Sequence, residues 1–189
     1  AGHAESSDVT LTVPTRSVLL QQVNFRPLLG GLLDYGLYAL LAPHIGNQGY
    51  GNHGWFGDYK GVPMLFAARE KTVLALACSV PFTRVSCGYV GVSDGWQDVN
   101  AHKRMTWRFP EARDGHIALT GENDLTASRG SVDLAPAFGR DSQGAGLQAR
   151  ASVSESLDDL RMPYVRAMVS VHQRGSARWS HPQDPSSAR

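Results

Sequence analysis

Residues 72–80, TVLALACSV, constrain the fold of this chain more than any other segment. In a β-strand, successive side chains point to opposite faces of the sheet. Both alternating sets are apolar here: Val73, Ala75 and Ala77 on one face, and Leu74, Leu76 and Cys78 on the other. A sheet with one face in water does not need this pattern. The segment therefore predicts a strand in a sheet that is covered on both faces, by a second sheet or by a helix.

Short apolar runs broken by Gly, Pro, Asn and Asp recur through most of the chain, which is typical of antiparallel β-structure. The predicted strands are residues 17–25, 34–43, 62–69, 72–80, 104–109, 116–124 and 131–139. The charged residues 69–71 predict a hairpin turn between two of them. Together these features predict a mainly β fold, an antiparallel two-sheet β-sandwich.

The pattern changes at Gly144, where good helix formers begin. Leu157, Leu160, Tyr164 and Met168 then recur at spacings of three and four, as on one face of a helix. The polar, proline-bearing end predicts disorder, and its WSHPQ resembles the start of an affinity tag. We therefore expect a sandwich domain over residues 1–143, a helical segment over 144–174 and a disordered tail over 175–189.

Composition and motifs exclude several classes of function. The 189 residues are enough for one domain with one hydrophobic core. The 18 Lys and Arg against 17 Asp and Glu give a net charge of +1, which is too small to attract a nucleic acid. The apolar runs are far shorter than the ~20 residues that span a bilayer, so we expect no membrane partner. There is no GxSxG, P-loop or GxGxxG motif, and we expect no cofactor. No targeting signal is visible, which leaves the localisation open.

The two cysteines, Cys78 and Cys87, allow at most one disulfide. Neither has a spacing typical of a metal site. Cys78 lies in an apolar run and is predicted to pack as a small hydrophobic side chain. A bond between the two across a hairpin stays open at this point.

Residues 42–60 hold the densest set of hydrogen-bonding and aromatic side chains. The candidate carbohydrate-binding residues in this segment are His44, Asn47, Asn52, Trp55 and Asp58. In a sugar site, polar groups would bond hydroxyls while Trp55 or Tyr50 stacks on a pyranose face. The alternative is an ordered surface loop in which Asn and Gly only supply the positive φ angles of tight turns. His44 and His53 lack a zinc-type spacing, and no metal site is predicted.

The stretch 88–98, GYVGVSDGWQD, allows two interpretations. Asp94, Trp96 and Asp98 could bind a sugar by carboxylate hydrogen bonds and ring stacking. Ser-Asp-Gly is also a common turn sequence, and this interpretation predicts a buried Trp96 with Asp94 or Asp98 bonded to backbone N–H groups. We favour the turn.

A pair of carboxylates could instead flank a glycosidic bond. The catalytic residues are unknown from the sequence, with Asp94, Asp98 and Glu122 as candidates. Further carboxylates in the same region are Asp58, Glu111, Asp114 and Asp124. The sequence does not give the distance in space between any two of these carboxyl groups.

Several motifs in one order resemble a known family. They are DYGLYALLAPHIGNQGYGNHGWFGDYKGVPMLFAARE, LALACSVPF, GYVGVSDGWQD and the segment from RMTWRF to GHIALTGE. Over residues 18–173 the chain resembles the N-terminal β-sandwich domain of bacterial glucoamylases and glucodextranases of glycoside hydrolase family 15. The resemblance implies a large two-sheet super-sandwich, similar to galactose-mutarotase-like domains, ahead of an (α/α)6 barrel that carries the family's two catalytic glutamates. No glutamate of this chain inherits that role.

The resemblance also implies further strands ahead of Val18, so we expect an incomplete version of the domain in which residues 8–12 form an edge strand. The primary hypothesis is a non-catalytic, carbohydrate-associated module whose partner is a glucan or small glycoside. The alternative is a stand-alone glycoside hydrolase acting on a small glycoside. Because an incomplete sandwich exposes apolar side chains and a strand edge, we also expect a homodimer or larger even oligomer.

Overall fold

The computed structural model describes residues 3–155, 157, 159–162, 165, 166 and 169. The elements in chain order are β1 (Ala4–Thr12), β2 (Leu19–Pro27), β3 (Leu37–Leu41), β4 (Asn52–Tyr59), β5 (Val62–Arg69), β6 (Thr72–Cys78), β7 (Arg84–Tyr89), α1 (Gly95–His102), β8 (Glu111–Gly115), β9 (Ile117–Asn123), β10 (Ser131–Gly139) and α2 (Ser142–Val153). Short 3₁₀ turns lie at Leu32–Asp34 and Ile45–Asn47.

The strands form two antiparallel sheets. The larger sheet has the order β1-β2-β10-β6-β5-β4-β8, and the smaller sheet has the order β3-β9-β7. All strand pairs are antiparallel. The predicted mainly β, two-sheet sandwich is confirmed.

Strand β6 lies near the middle of the larger sheet, and both of its faces are covered. Ala75 and Ala77 belong to the apolar cluster that includes Ala145 and Ala149 of α2. Leu74 and Leu76 belong to a second cluster, which includes Cys87, Ile117 and Leu119 of the smaller sheet. The prediction that both faces of this strand are covered is therefore confirmed. A helix covers one face and the smaller sheet covers the other.

Helix α2 packs tightly because its inner face is made of small residues. Asp141 caps its N-terminus by accepting a hydrogen bond from the Gly144 N–H at 2.7 Å. A Cβ at Gly146 would lie 2.9 Å from the Tyr59 side chain, so only glycine fits there. Leu157 is buried beyond the helix, whereas Tyr164 and Met168 of the predicted apolar stripe lie outside the described residues.

Residues 42–60 were predicted as a loop, but their second half is strand β4. Gly46 and Gly51 lie in turns with positive φ, whereas Gly54 lies in the strand and allows close packing between the sheets. A Cβ at Gly54 would lie 2.6 Å from the Ile117 side chain and 2.9 Å from Leu119. Strands β7 and β8 were also not predicted, whereas the edge strand expected at residues 8–12 is present as part of β1.

The strand predicted at 104–109 is wrong. These residues form an irregular connection, with Met105 buried. The backbone N–H groups of Thr106 and Trp107 donate to the Asp98 carboxylate rather than to a neighbouring strand. A side chain therefore takes the place of a strand ladder.

Both cysteines are buried free thiols. Cys78 donates to the Asn123 side-chain oxygen over 3.1 Å. Burial raises the pKa of Cys78 to about 11 and that of Cys87 to about 12.

In the described part of the chain, no helix combines the length and apolar character needed to cross a bilayer.

Candidate functional site

Residues 88–98 form a turn followed by the start of α1. Asp94 is the N-cap residue, and its carboxylate accepts hydrogen bonds from the N–H of Gln97 at 2.9 Å and of Gly91. The prediction that Asp94 bonds backbone N–H groups is confirmed. The Asp94-x-x-Gln97 spacing is that of a capping box, a signal in the sequence that would have indicated the helix.

Asp98 is buried, with 1% of its surface exposed. Its carboxylate accepts from Thr106 N (2.7 Å), Thr106 Oγ1 (2.6 Å) and Trp107 N (2.8 Å), and lies 2.8 Å from His102 Nδ1. Burial alone would raise the pKa of Asp98, but these hydrogen bonds favour the charged form and together lower it. The carboxylate therefore fastens the connection 103–110 to α1, and both of its oxygens are already engaged.

The prediction that Trp96 is buried is wrong, since 63% of it is exposed. Helix α1 turns Gly95 and Asp98 inward, and a Cβ at Gly95 would lie 2.2 Å from the Thr120 side chain. Successive helical residues point about 100° apart, so the residue after Gly95 points away from β9. The indole lies on the surface, while Asp94 and Asp98 on either side of it in sequence are buried.

The candidate residues of 42–60 do not form one site. Asn47 lies in a turn with φ 60°, and Asn52 is fully buried, where its amide donates to the carbonyls of Gln48 and Gly49. Trp55 stacks on Phe66 with ring centres 5.4 Å apart. Asp58 lies near the other end of β4, six residues and roughly 20 Å along the strand from Asn52.

His44 takes part in a group of three neighbouring rings that we call the ring group: His44 and Tyr50, which are exposed, and His116, which is half-buried. The Nε2 atoms of His44 and His116 are 2.8 Å apart, and the rings of Tyr50 and His116 are centred 5.8 Å apart. The carbonyl of His116 accepts from the N–H of Val90 at 2.9 Å. His116 therefore joins the 44–51 turn to the turn before α1. Sequence spacing gave no sign of it, because it lies 72 residues from His44.

Three of the remaining candidate carboxylates interact with neighbouring groups. Glu122 lies 3.4 Å from Arg84, next to an open hollow of about 430 Å³. Glu111 pairs with Arg113 at 2.9 Å, and this hydrogen bond lowers the pKa of Glu111. Asp124 accepts from two backbone N–H groups of the following turn. The described residues contain no group of three or more His, Cys, Asp or Glu placed to hold a metal ion.

The architecture is thus a two-sheet antiparallel sandwich with one helix against its larger sheet and one against its smaller sheet. The family described as "Glucodextranase, domain N" matches residues 7–180, and the chain belongs to this family. The glucoamylase of Clostridium sp. (strain G0005) is 31% identical over 150 residues, which cover 79% of this chain and 21% of that protein.

A crystal structure of a bacterial glucoamylase complexed with acarbose superposes with a TM-score of 0.83 at 30% identity. The superposition covers 87% of this chain and 24% of that chain. This chain therefore spans only about a fifth to a quarter of the length of the two glucoamylases. The resemblance inferred from the motifs is confirmed.

Proposed function

We propose that this chain is a non-catalytic, carbohydrate-associated module of a glucoamylase-type enzyme of glycoside hydrolase family 15, with Trp96 as its main sugar contact. The observation that carries the proposal is the exposure of Trp96. The carboxylates of Asp94 and Asp98, on either side of it in sequence, are buried and stabilise the fold, whereas the indole is free to contact a ligand. An exposed tryptophan offers a flat apolar face of the kind on which a pyranose ring can stack. The ring group, with Asn47 on the same turn as His44, is a second candidate contact.

The state of the carboxylates supports a non-catalytic role. A glycosidase needs two carboxyl groups facing each other across an open cleft, about 5–5.5 Å or 6.5–9.5 Å apart. Asp94 and Asp98 are buried in hydrogen bonds, and Glu122 faces Arg84. By the same proposal, residues 144–174 connect the sandwich to a barrel elsewhere in such an enzyme.

The sugar contact can be tested by NMR, because each indole N–H gives its own signal. Titration with maltose, maltotriose, isomaltose or acarbose should shift the Trp96 signal and leave those of Trp55 and Trp107 in place. Trp96→Ala should abolish binding while leaving the fold intact. If saturating sugar leaves the Trp96 signal and the ring group unmoved, the proposed contact is wrong.

The non-catalytic role has its own test. A panel of nitrophenyl glycosides should show no turnover by the wild-type chain. Turnover that is lost in Glu122→Gln but retained in the matched variant Glu70→Gln, at an exposed hairpin turn, would instead establish a stand-alone hydrolase.

The proposal extends to a homodimer or larger even oligomer formed through β3. Edge strands that carry charges resist pairing with other chains. The edge strands β1, β7 and β8 all carry charged residues, whereas Leu37–Leu41 of β3 carries none. Beside this edge lies a hollow of about 250 Å³, lined by Val23, Leu76, Val132, Leu134 and Pro136 among others. A two-fold contact here would cover both the edge and the hollow, and a stable interface should bury at least ~1,000 Å².

Light scattering at micromolar concentration tests the assembly. Leu40 of β3 is 45% exposed, and Leu40→Lys should give a monomer. Leu33→Lys changes an even more exposed leucine outside that edge and should leave the oligomer unchanged. A strictly monomeric wild-type mass would contradict this part of the proposal.

A further inference from the structure

The side chains of His44 and His116 meet head to head on the surface. Their Nε2 atoms are 2.8 Å apart, and their ring centres are 4.9 Å apart. In this contact one Nε2–H donates to the lone pair of the other Nε2, so at least one imidazole is neutral. His44 is exposed and His116 is half-buried, and they come from segments 72 residues apart.

We propose that His44 and His116 together bind a divalent transition-metal ion, with Cu²⁺ bound most tightly. Neutral imidazole nitrogen is a preferred ligand of Cu²⁺, Ni²⁺ and Zn²⁺, and affinity at a given nitrogen site is greatest for Cu²⁺ in this series. The ion takes the place of the shared proton. When both imidazoles are neutral, the histidine that carried Nε2–H changes to its Nδ1–H tautomer and no net proton is lost; when that histidine is an imidazolium, its Nε2 proton is released to water.

The geometry needs only a small adjustment. Metal–nitrogen distances are about 2.0–2.1 Å, so two ligands that subtend 90–110° at the ion lie about 2.9–3.4 Å apart. The Nε2 atoms must therefore separate by a few tenths of an ångström from 2.8 Å, with a tilt of the rings. The exposed His44 side chain can achieve this by small rotations about χ1 and χ2.

The surrounding charges are of both signs. Arg69 donates to the Ile45 carbonyl at 3.3 Å, which places a cation near His44. Asp114 of β8, two residues before His116, supplies an anion; a Cβ at Gly51 would lie 3.9 Å from one of its carboxylate oxygens. The described residues bring no third His, Cys, Asp or Glu into a metal-binding group, so water would fill the other coordination positions.

The test is calorimetric titration of the whole chain with CuCl2, NiCl2 and ZnCl2, combined with electron paramagnetic resonance of the Cu²⁺ form. In the His3→Ala chain we expect one Cu²⁺ with two imidazole nitrogens as ligands. His44→Ala or His116→Ala should weaken this affinity by at least about tenfold, as expected when a ligand of the ion is lost. His3→Ala is the reference chain, and both pair variants are made in it, because a free amine ahead of Gly2 and His3 would bind Cu²⁺ together with the His3 imidazole and mask the pair.

Thermal unfolding provides a second readout. Since the pair exists only in the folded chain, Cu²⁺ should raise the Tm of the wild type and of His3→Ala. It should not raise the Tm of either pair variant. If both pair variants bind Cu²⁺ as tightly as the His3→Ala reference chain, or if the resonance shows a single nitrogen ligand, the proposal is overturned.

Discussion

Replacing Asp98 tests how α1 and the connection after it are held. In Asp98→Ala, the N–H groups of Thr106 and Trp107 lose their acceptor, as do the Thr106 hydroxyl and the His102 ring. The hydroxyl and the ring belong to exposed residues and can turn to water. The cost then comes mainly from two backbone donors, each worth about 1–2 kcal/mol, so we expect a loss of about 2–4 kcal/mol in the free energy of unfolding.

The assay is urea unfolding followed by circular dichroism, repeated over a range of pH. The folded-state pKa of Asp98 is lowered, so its ionised form stabilises the fold at pH values above the unfolded pKa of ~3.9. That contribution is lost as the pH falls through the folded-state pKa. The wild type should therefore exceed Asp98→Asn in stability by its full margin at pH 7, and the margin should shrink below about pH 4.

The matched control is Asp58→Asn. Asp58 is exposed, and its carboxylate accepts one long bond of 3.4 Å from the Gly61 N–H. This variant should stay within about 0.5 kcal/mol of the wild type at all pH values. If Asp98→Ala is no less stable than Asp58→Asn, or if the margin over Asp98→Asn does not change with pH, the structural role given to Asp98 is refuted.

Three further outcomes follow from the same structure. Asp94→Ala removes the N-cap of α1 and should cost about 1–2 kcal/mol by urea unfolding, and an unchanged midpoint would contradict the cap. Gly88→Ala places a Cβ 1.9 Å from the Ser93 carbonyl oxygen of the following turn, so we expect a loss of at least about 2 kcal/mol in the free energy of unfolding. An unchanged free energy of unfolding would mean that the turn shifts freely. Cys78 and Cys87, with pKa values of about 11 and about 12, should react slowly with a disulfide reagent at pH 8 until the chain is unfolded, and rapid reaction of the native chain would contradict their burial.

The parts of the fold that could be predicted are those where side-chain alternation decides the structure. Strands β5 and β10 occupy the predicted residues 62–69 and 131–139, and the double-faced pattern of β6 indicated both covering layers. Strand β4 was missed because glycine has two uses. Gly54 lies in a strand where a second sheet approaches closely, and the sequence does not distinguish this use from a turn.

The candidate site was harder to predict, because its helix buries no apolar stripe. The inward residues of α1 are Gly95 and Asp98. Gly95 fits there because it has no side chain, and Asp98 fits because its carboxylate is fully hydrogen-bonded. Hydrophobic periodicity therefore gives no signal for this helix, and the Ser-Asp-Gly turn sequence wrongly predicts a buried Trp96. Once Asp98 is known to face inward, helical geometry places Trp96 on the surface. The three side chains that suggest a sugar site in the sequence therefore have different roles. Asp94 and Asp98 stabilise the helix through hydrogen bonds, whereas Trp96 is exposed to solvent.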